Sequence, residues 1–166
     1  MRIIGGTHGG RRLHPPQNIP ARPTTDLAKE GLFNILQNYV DFDEISTLEL
    51  FGGTGNITFE LASRGAQHCT ILEKDKRSVQ FIKETSTLFK FDQLTILQLD
   101  VFKWLEHQTA QYDFIFADPP YALPQMDVLP DMILDKNMLK DEGLLVLEHT
   151  TSNNFEKHER CFRTKN

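Results

Sequence analysis

Asp118-Pro119-Pro120-Tyr121 stands directly after the apolar run Tyr112-Asp113-Phe114-Ile115-Phe116-Ala117. The run reads as a strand, so an acid, two prolines and an aromatic ring occupy the corner at its carboxyl end. Neither proline has a backbone N–H, and each holds φ near about −65°. The corner is therefore stiff, and its carbonyls and the Asp118 carboxylate can only accept hydrogen bonds. Tyr121 adds a flat apolar face. Acceptors beside a ring suit a planar substrate that carries an –NH2 group, such as a nucleobase. The lone pair of such an amine is delocalised into the ring, which makes it a poor nucleophile. Accepting its two N–H bonds at Asp118 and at a proline carbonyl holds the nitrogen in line for attack and favours its more tetrahedral form. Tyr121 can stack on the base, and no metal is needed.

Three further acids fall at similar corners. Glu49-Leu50-Phe51-Gly52-Gly53-Thr54-Gly55 leads from a strand into a helix. Gly53 and Gly55, beside Phe51, permit a tight turn and close approach of a ligand to the backbone. The run resembles a dinucleotide fingerprint imperfectly, because Thr58 stands where the third glycine would be. Glu49 has the wrong sign for a pyrophosphate and the right one for an ammonium group. Glu73, with Lys74 after it, ends the next strand, where an acid can accept both hydroxyls of a ribose. Asp100, with Val101 after it, ends the third; it can accept from an adenine amino group, cap the following helix, or do both. An ammonium, a ribose diol and an adenine without phosphate match these acids in order. S-adenosylmethionine has those groups, whereas NAD needs loops that welcome phosphate.

Regular elements must hold these corners in register. Residues 47–51, 68–72, 94–99, 112–117 and 143–148 read as strands. Residues 57–63, 78–89, 102–107 and 126–134 read as the helices between them. Strands alternating with helices imply an α/β fold with a doubly wound, mostly parallel sheet, whose ligands bind beyond the carboxyl ends of the strands. Ahead of them, Ala28, Leu32, Ile35, Leu36 and Tyr39 recur at helical spacing, with Thr24, Thr25 or Asp26 available as cap. Residues 1–23 differ in composition: Gly5-Gly6-Thr7-His8-Gly9-Gly10 can close a hairpin, and Pro15, Pro16, Pro20 and Pro23 keep the chain extended. The chain thus divides into a basic N-terminal arm, 1–23, and an α/β domain, 24–166.

The net charge of −5 hides an asymmetry. Residues 1–25 carry Arg2, Arg11, Arg12 and Arg22 and no acid, so the rest is more acidic than the sum suggests. A basic arm on an acidic body points to local contact with phosphates. No apolar run is long enough to span a membrane, and there is no signal-peptide pattern at the start. Cys69 and Cys161 read as buried free thiols in a reducing cytoplasm. No histidine pair has metal-ligand spacing, and Trp104 and the phenylalanines of 81–116 read as packing.

Together these residues resemble the RsmD-type bacterial 16S rRNA guanine-N2 methyltransferases, a class I S-adenosylmethionine-dependent family. Ile3-Ile4-Gly5-Gly6 with Gly9-Gly10-Arg11-Arg12-Leu13 is similar to its opening hairpin. Arg22-Pro23-Thr24-Thr25-Asp26 with Glu30-Gly31-Leu32-Phe33-Asn34-Ile35-Leu36 is similar to its most specific segment. Residues 49–55, Glu73 and 118–121 correspond to its cofactor and catalytic motifs. The resemblance implies a Rossmann-like class I methyltransferase fold with a small N-terminal hairpin. It implies methyl transfer to N2 of guanine 966 of 16S rRNA, as free RNA or in the 30S subunit, by a cytoplasmic monomer. Arg22, Thr24, Glu49, Phe51, Gly53, Gly55, Glu73, Lys74, Asp100, Val101 and Asp118 would hold the cofactor. Asp118, Pro119, Pro120 and Tyr121 would be catalytic, and Arg2, Arg11 and Arg12 would contact RNA. The four-residue corner is shared with adenine-N6 DNA methyltransferases, which remain an alternative, as do an NAD-binding oxidoreductase and a non-catalytic RNA-binding module.

The sequence departs from the family in places. Glu49, Gly52 and Thr54 stand where Asp, Ala and Ser are common, and Tyr121 where close relatives often have Phe. Leu27 and Lys29 replace arginines, a change expected to weaken an RNA or cofactor contact. Related enzymes carry Asn at the position of Asp118, which implies an orienting role rather than a base. Such folds end in an antiparallel seventh strand, which the residues up to Asn166 are not expected to complete.

Overall fold

The computed structural model describes residues 1–20 and 24–161. Five strands form one sheet: β1 (Ser46–Leu50), β2 (His68–Glu73), β3 (Leu94–Gln98), β4 (Tyr112–Ala117) and β5 (Leu139–Leu147). Their order is β3-β2-β1-β4-β5, and every pairing is parallel. The helices are α1 (Asp26–Leu36), α2 (Asn56–Ser63), α3 (Lys76–Phe89), α4 (Val101–Glu106) and α5 (Leu129–Leu134), the last preceded by a 3-10 turn at Met126–Val128.

Alternation along the strands builds two cores. Phe114 and Phe116 of β4 face one side, with Phe33 of α1, Ile57, Phe59 and Leu61 of α2, and Ile82 of α3. Leu48 and Leu50 of β1 with Ile115 and Ala117 of β4 face the other, against Leu105 of α4 and Ile133 of α5. A central strand buried on both faces needs apolar residues at nearly every position, which β4 supplies. Covering both faces with helices leaves the strand ends as the place where polar side chains can gather.

The expected hairpin is present. The Ile3 and Gly10 N–H groups donate to Arg11 O (2.9 Å) and Ile3 O (2.8 Å), and Arg2 pairs with Arg12 in antiparallel register. Ile3 and Leu13 are buried in the first core, so the hairpin lies along α2 as part of the packing. Its tip requires glycine: Gly6 has φ +73°, and a Cβ there would fall 1.8 Å from Ser63 O.

Two differences from the sequence reading stand out. The buried face of α1 carries Lys29, Phe33 and Leu36, while Leu27 is 80% exposed and Tyr39 48%. The expected apolar stripe is therefore turned by about one residue, because Lys29 is drawn inward by an acid described below. The fifth strand also starts earlier than expected. It pairs Tyr112 with Leu139 and then slips, pairing Phe114 with Leu144. Polar residues 140–142 fill the irregularity, and Lys140 is fixed by Asp113 at 2.7 Å. Among the described residues β5 is the last strand. Cys69 is buried, which pushes its thiol up to about 11, whereas Cys161 is only half-buried.

Candidate active site at the sheet switch point

The chain leaves β1 toward β2 on one side, while β4 pairs with β1 on the other. Connections that diverge in this way leave a crevice at the carboxyl ends of the strands. A cleft of about 720 Å³ opens there. Its walls include Thr24, Glu49, Phe51, Gly53, Glu73, Lys74, Asp100, Val101 and all of Asp118, Pro119, Pro120 and Tyr121. Of the expected site residues, Gly55 lies behind the lining: it caps α2 with φ +72° and so turns the loop into the helix. Arg22 lies outside the described residues.

The loop after β1 is shaped by its own hydrogen bonds. Gly52 N–H donates to Leu72 O at 2.8 Å, and Gly55 N–H to Gly52 O at 2.7 Å. Phe51 holds φ +62°, a region that a bulky side chain seldom enters. A Cβ on Gly52 would meet Ile71 at 2.4 Å, which accounts for glycine at a position where the resembled family often has alanine. Gly53 N–H donates to Glu73 Oε2 at 2.7 Å. That donor, which a phosphate-binding loop would aim at a ligand, is thus turned onto an acid. The other Glu73 oxygen accepts from Asp75 N–H at 2.7 Å, so both carboxylate oxygens are oriented by backbone.

Glu49 is buried and accepts from the N–H (2.8 Å) and the hydroxyl of Thr58, both at Oε2. Burial pushes its carboxyl up to about 8 against these bonds, and the charges of Asp118 and Glu73 push the same way. Asp100 does cap α4: its Oδ1 accepts from Phe102 N–H (3.1 Å) and Lys103 N–H (3.2 Å). Phe51 and Phe102 meet edge to face with centroids 6.2 Å apart, giving the cleft an aromatic wall.

At the fourth corner Pro119 is buried, Pro120 is exposed and Tyr121 is 50% exposed at the mouth. Pro120 O accepts Leu123 N–H at 2.9 Å, closing a turn that fixes the direction of Tyr121. Among the described residues no three His, Cys, Asp or Glu side chains are grouped to hold a metal ion.

Two residues escaped the sequence reading. Glu148 lines the cleft from the end of β5. The signal was available, since it is an acid at a strand end like the other four. Asn56 also lines the cleft. It accepts Lys29 Nζ at 2.7 Å and donates to Thr24 O at 3.4 Å, and nothing local in the sequence marks it. Lys29, in place of an arginine, was expected to weaken an RNA or cofactor contact. Instead it is fully buried, donates to Arg2 O at 2.6 Å and pairs with Glu60 at 3.2 Å.

The hairpin arginines are spread along α2. Arg2 pairs with Asp26 at 3.4 Å, at the start of α1, and its neighbour Met1 touches cleft-lining Thr54. Arg12 faces Arg2 across the hairpin. Arg11 lies over the Phe89 ring, 5.0 Å from its centre, at the far end of α3.

A family model described as "Conserved hypothetical protein 95" matches residues 1–166. The chain is 34% identical over 154 residues to the "Putative rRNA methyltransferase YlbH" of Bacillus subtilis (strain 168), covering 90% of this chain and 82% of that protein. It is 32% identical over 154 residues to the "Ribosomal RNA small subunit methyltransferase D" of Escherichia coli (strain K12), covering 92% and 76%. A solved structure described as "Putative methyltransferase yhhF from Escherichia coli" is similar with a TM-score of 0.83 and 28% identity, covering 93% of this chain and 84% of that one.

Proposed function

This chain belongs to the RsmD-type family of class I methyltransferases, and on that footing we propose that it methylates N2 of a guanine in small-subunit rRNA, at position 966 of 16S rRNA. The observation that carries the reading is the convergence of four strand-end acids, Glu49, Glu73, Asp100 and Asp118, on one cleft with the Pro119-Pro120-Tyr121 corner.

The residues fit S-adenosylmethionine as cofactor. Gly53 N–H is committed to Glu73, so the loop offers an acid where a dinucleotide would need a phosphate donor. When bound, the cofactor supplies an electrophilic sulfonium methyl. Glu49 would face its ammonium, Glu73 its ribose hydroxyls, and the second oxygen of Asp100 its adenine amine, with Phe51, Val101 and Phe102 against the ring. Thr24, held by Asn56, and Lys74 would close the sides, and the family resemblance supports the same role for Arg22.

On the substrate side, Asp118 and the Pro119 carbonyl would accept the two N2 hydrogens of a guanine flipped into the cleft. Tyr121 would stack on the base. Held so, the N2 lone pair would face the methyl that the bound cofactor would supply, and the proton that N2 loses would leave to solvent. Asp118 orients the amine. Residues 1–23 would bring phosphates to Arg2, Arg11 and Arg12, while 24–166 carries the chemistry. The working unit is a cytoplasmic monomer on 16S rRNA or the 30S subunit.

The test offers the protein labelled S-adenosylmethionine with 30S particles, free 16S rRNA and duplex DNA, followed by nucleoside digestion. The expected product is N2-methylguanosine in 16S rRNA. Label confined to N6-methyladenine in DNA would overturn the reading.

A further inference from the structure

Glu148 stands on the side of the cleft that the cofactor reading leaves unused. The order β3-β2-β1-β4-β5 puts Asp100, Glu73 and Glu49 in one row at the ends of β3, β2 and β1. Asp118 follows at the end of β4, and Glu148 lies beyond it, after β5. Glu148 is therefore separated from the cofactor row by the catalytic corner. Its N–H donates to Ala117 O at 2.8 Å, and Ala117 immediately precedes Asp118. The two acids thus stand at adjacent, hydrogen-bonded strand ends, about 5 Å apart by strand spacing. Both line the same cleft as Tyr121 and Leu123.

An amine-bearing base offers more than its amine to such a wall. On guanine, the donor N1–H lies next to the N2 amine. On adenine, the atom next to the N6 amine is N1, an acceptor with a lone pair. We propose that Glu148 accepts the N1–H of the target guanine while Asp118 holds its N2 amine, and that this pair of acids selects guanine over adenine. The inference rests on the methyl-transfer reading above and supplies what the Asp118-Pro119-Pro120-Tyr121 corner lacks. That corner positions any planar amine, whereas a second carboxylate beside it repels a base whose neighbouring atom is a lone pair. Sites built to bond a substrate N–H reject analogues without it more strongly than apolar pockets reject a change of shape, because the site's polar group is left unpaired.

The test uses 2-aminopurine, which keeps the exocyclic amine of guanine but has a lone pair at N1. Small-subunit rRNA is ligated with guanine or 2-aminopurine at the position the unaltered protein methylates. Glu148 is exposed at the cleft mouth and becomes covered only by the bound base, so the unaltered protein should prefer guanine by roughly 10- to 100-fold in kcat/KM, the range expected when a covered carboxylate lacks its donor. Glu148→Ala should lower kcat/KM for guanine by a similar factor. It should bring the preference within about threefold and leave the affinity for S-adenosylhomocysteine unchanged. Glu148→Gln should recover part of the preference, because its amide oxygen still accepts N1–H. Preserved discrimination in Glu148→Ala would overturn the assignment, as would an equal loss on both substrates or a loss of cofactor affinity. If the unaltered protein labels no guanine, the methyl-transfer reading itself falls, and that is read before any variant is made.

Discussion

Lys29 of α1 and Glu60 of α2 form an ion pair of 3.2 Å in which both side chains are fully buried. Burial pushes the Lys29 ammonium below the usual lysine range, while Glu60 opposes that shift. Glu60 also accepts from Ile4 N–H (2.7 Å), Gly5 N–H (2.8 Å) and Arg64 Nε (2.8 Å). Lys29 in turn donates to Arg2 O and Asn56 Oδ1. One carboxylate and one ammonium thereby fasten the hairpin, α1 and the cleft wall at Asn56 to one another. This is why α1 buries a lysine and exposes Leu27.

Removing Lys29 should therefore cost far more than removing a surface cation. Lys29→Met strips one charge from a buried pair and leaves two acceptors without their donor. The expected loss is about 3 kcal/mol, the lower end for broken buried pairs because Arg64 still neutralises Glu60. Arg2→Ala, which removes the exposed pair with Asp26, should cost under about 1 kcal/mol. Urea midpoints of the two variants check the contrast, and equal midpoints would refute it.

Glu49 predicts a proton released on cofactor binding. Its folded carboxyl sits at about 8 against an ordinary 4.5, because burial disfavours the charge. The contribution of that proton to stability is full below about 4.5 and is lost as the pH rises through about 8. A ligand ammonium reverses the preference and drives the proton off. Affinity for S-adenosylhomocysteine should then rise on the order of tenfold per pH unit between about pH 6 and 7.5. Calorimetry at pH 7 in buffers of different ionisation enthalpy should register close to one proton leaving. Glu49→Gln should bind weakly and release none; a full proton from that variant would place the titration elsewhere.

The sheet was legible because strands such as 112–117 are apolar but for one residue, Asp113, and run into prolines or glycines, so period and punctuation agree. Glu73, Asp100 and Asp118 were legible for the same reason, since each follows the last apolar residue of its strand, while Glu49 was marked by the glycines shortly after it. What the sequence hid depends on partners distant along the chain. Nothing near Lys29 in the sequence marks it as buried until Glu60, 31 positions later, is placed against it. Asn56 reads as the start of a helix until Thr24 and Lys29 converge on it. Glu148 was legible as the acid that closes the fifth strand; its role was hidden because only the pairing of β5 beside β4 brings it next to Asp118.

The hairpin arginines should not contribute equally to RNA binding. Arg11 lies over Phe89, the last residue of α3, and that helix begins at the cleft. Fourteen residues of helix place Phe89 about 20 Å from the site. Arg2 follows Met1, which touches cleft-lining Thr54, and Arg12 faces Arg2 across the hairpin. Arg12→Ala should raise KM for rRNA several-fold and flatten its salt dependence by about one phosphate contact. Arg11→Ala should change KM by less than about twofold. A larger effect from Arg11 would mean that RNA wraps the far end of the hairpin.

Asp118 decides whether the corner is a cradle or a base. Pro119 is buried and the Pro120 carbonyl is bonded to Leu123 N–H, so the proposed cradle for the amine is Asp118 and the first proline. If Asp118 only orients, an amide serves nearly as well, because it keeps one acceptor oxygen in place. Asp118→Asn should then retain at least about a tenth of kcat, while Asp118→Ala should lose about a hundredfold or more through misplacement of the nitrogen. The affinity for S-adenosylhomocysteine should be within about twofold of normal in both. A base would give the opposite pattern: Asn and Ala equally inactive, and a kcat that falls at acid pH as the carboxylate is protonated.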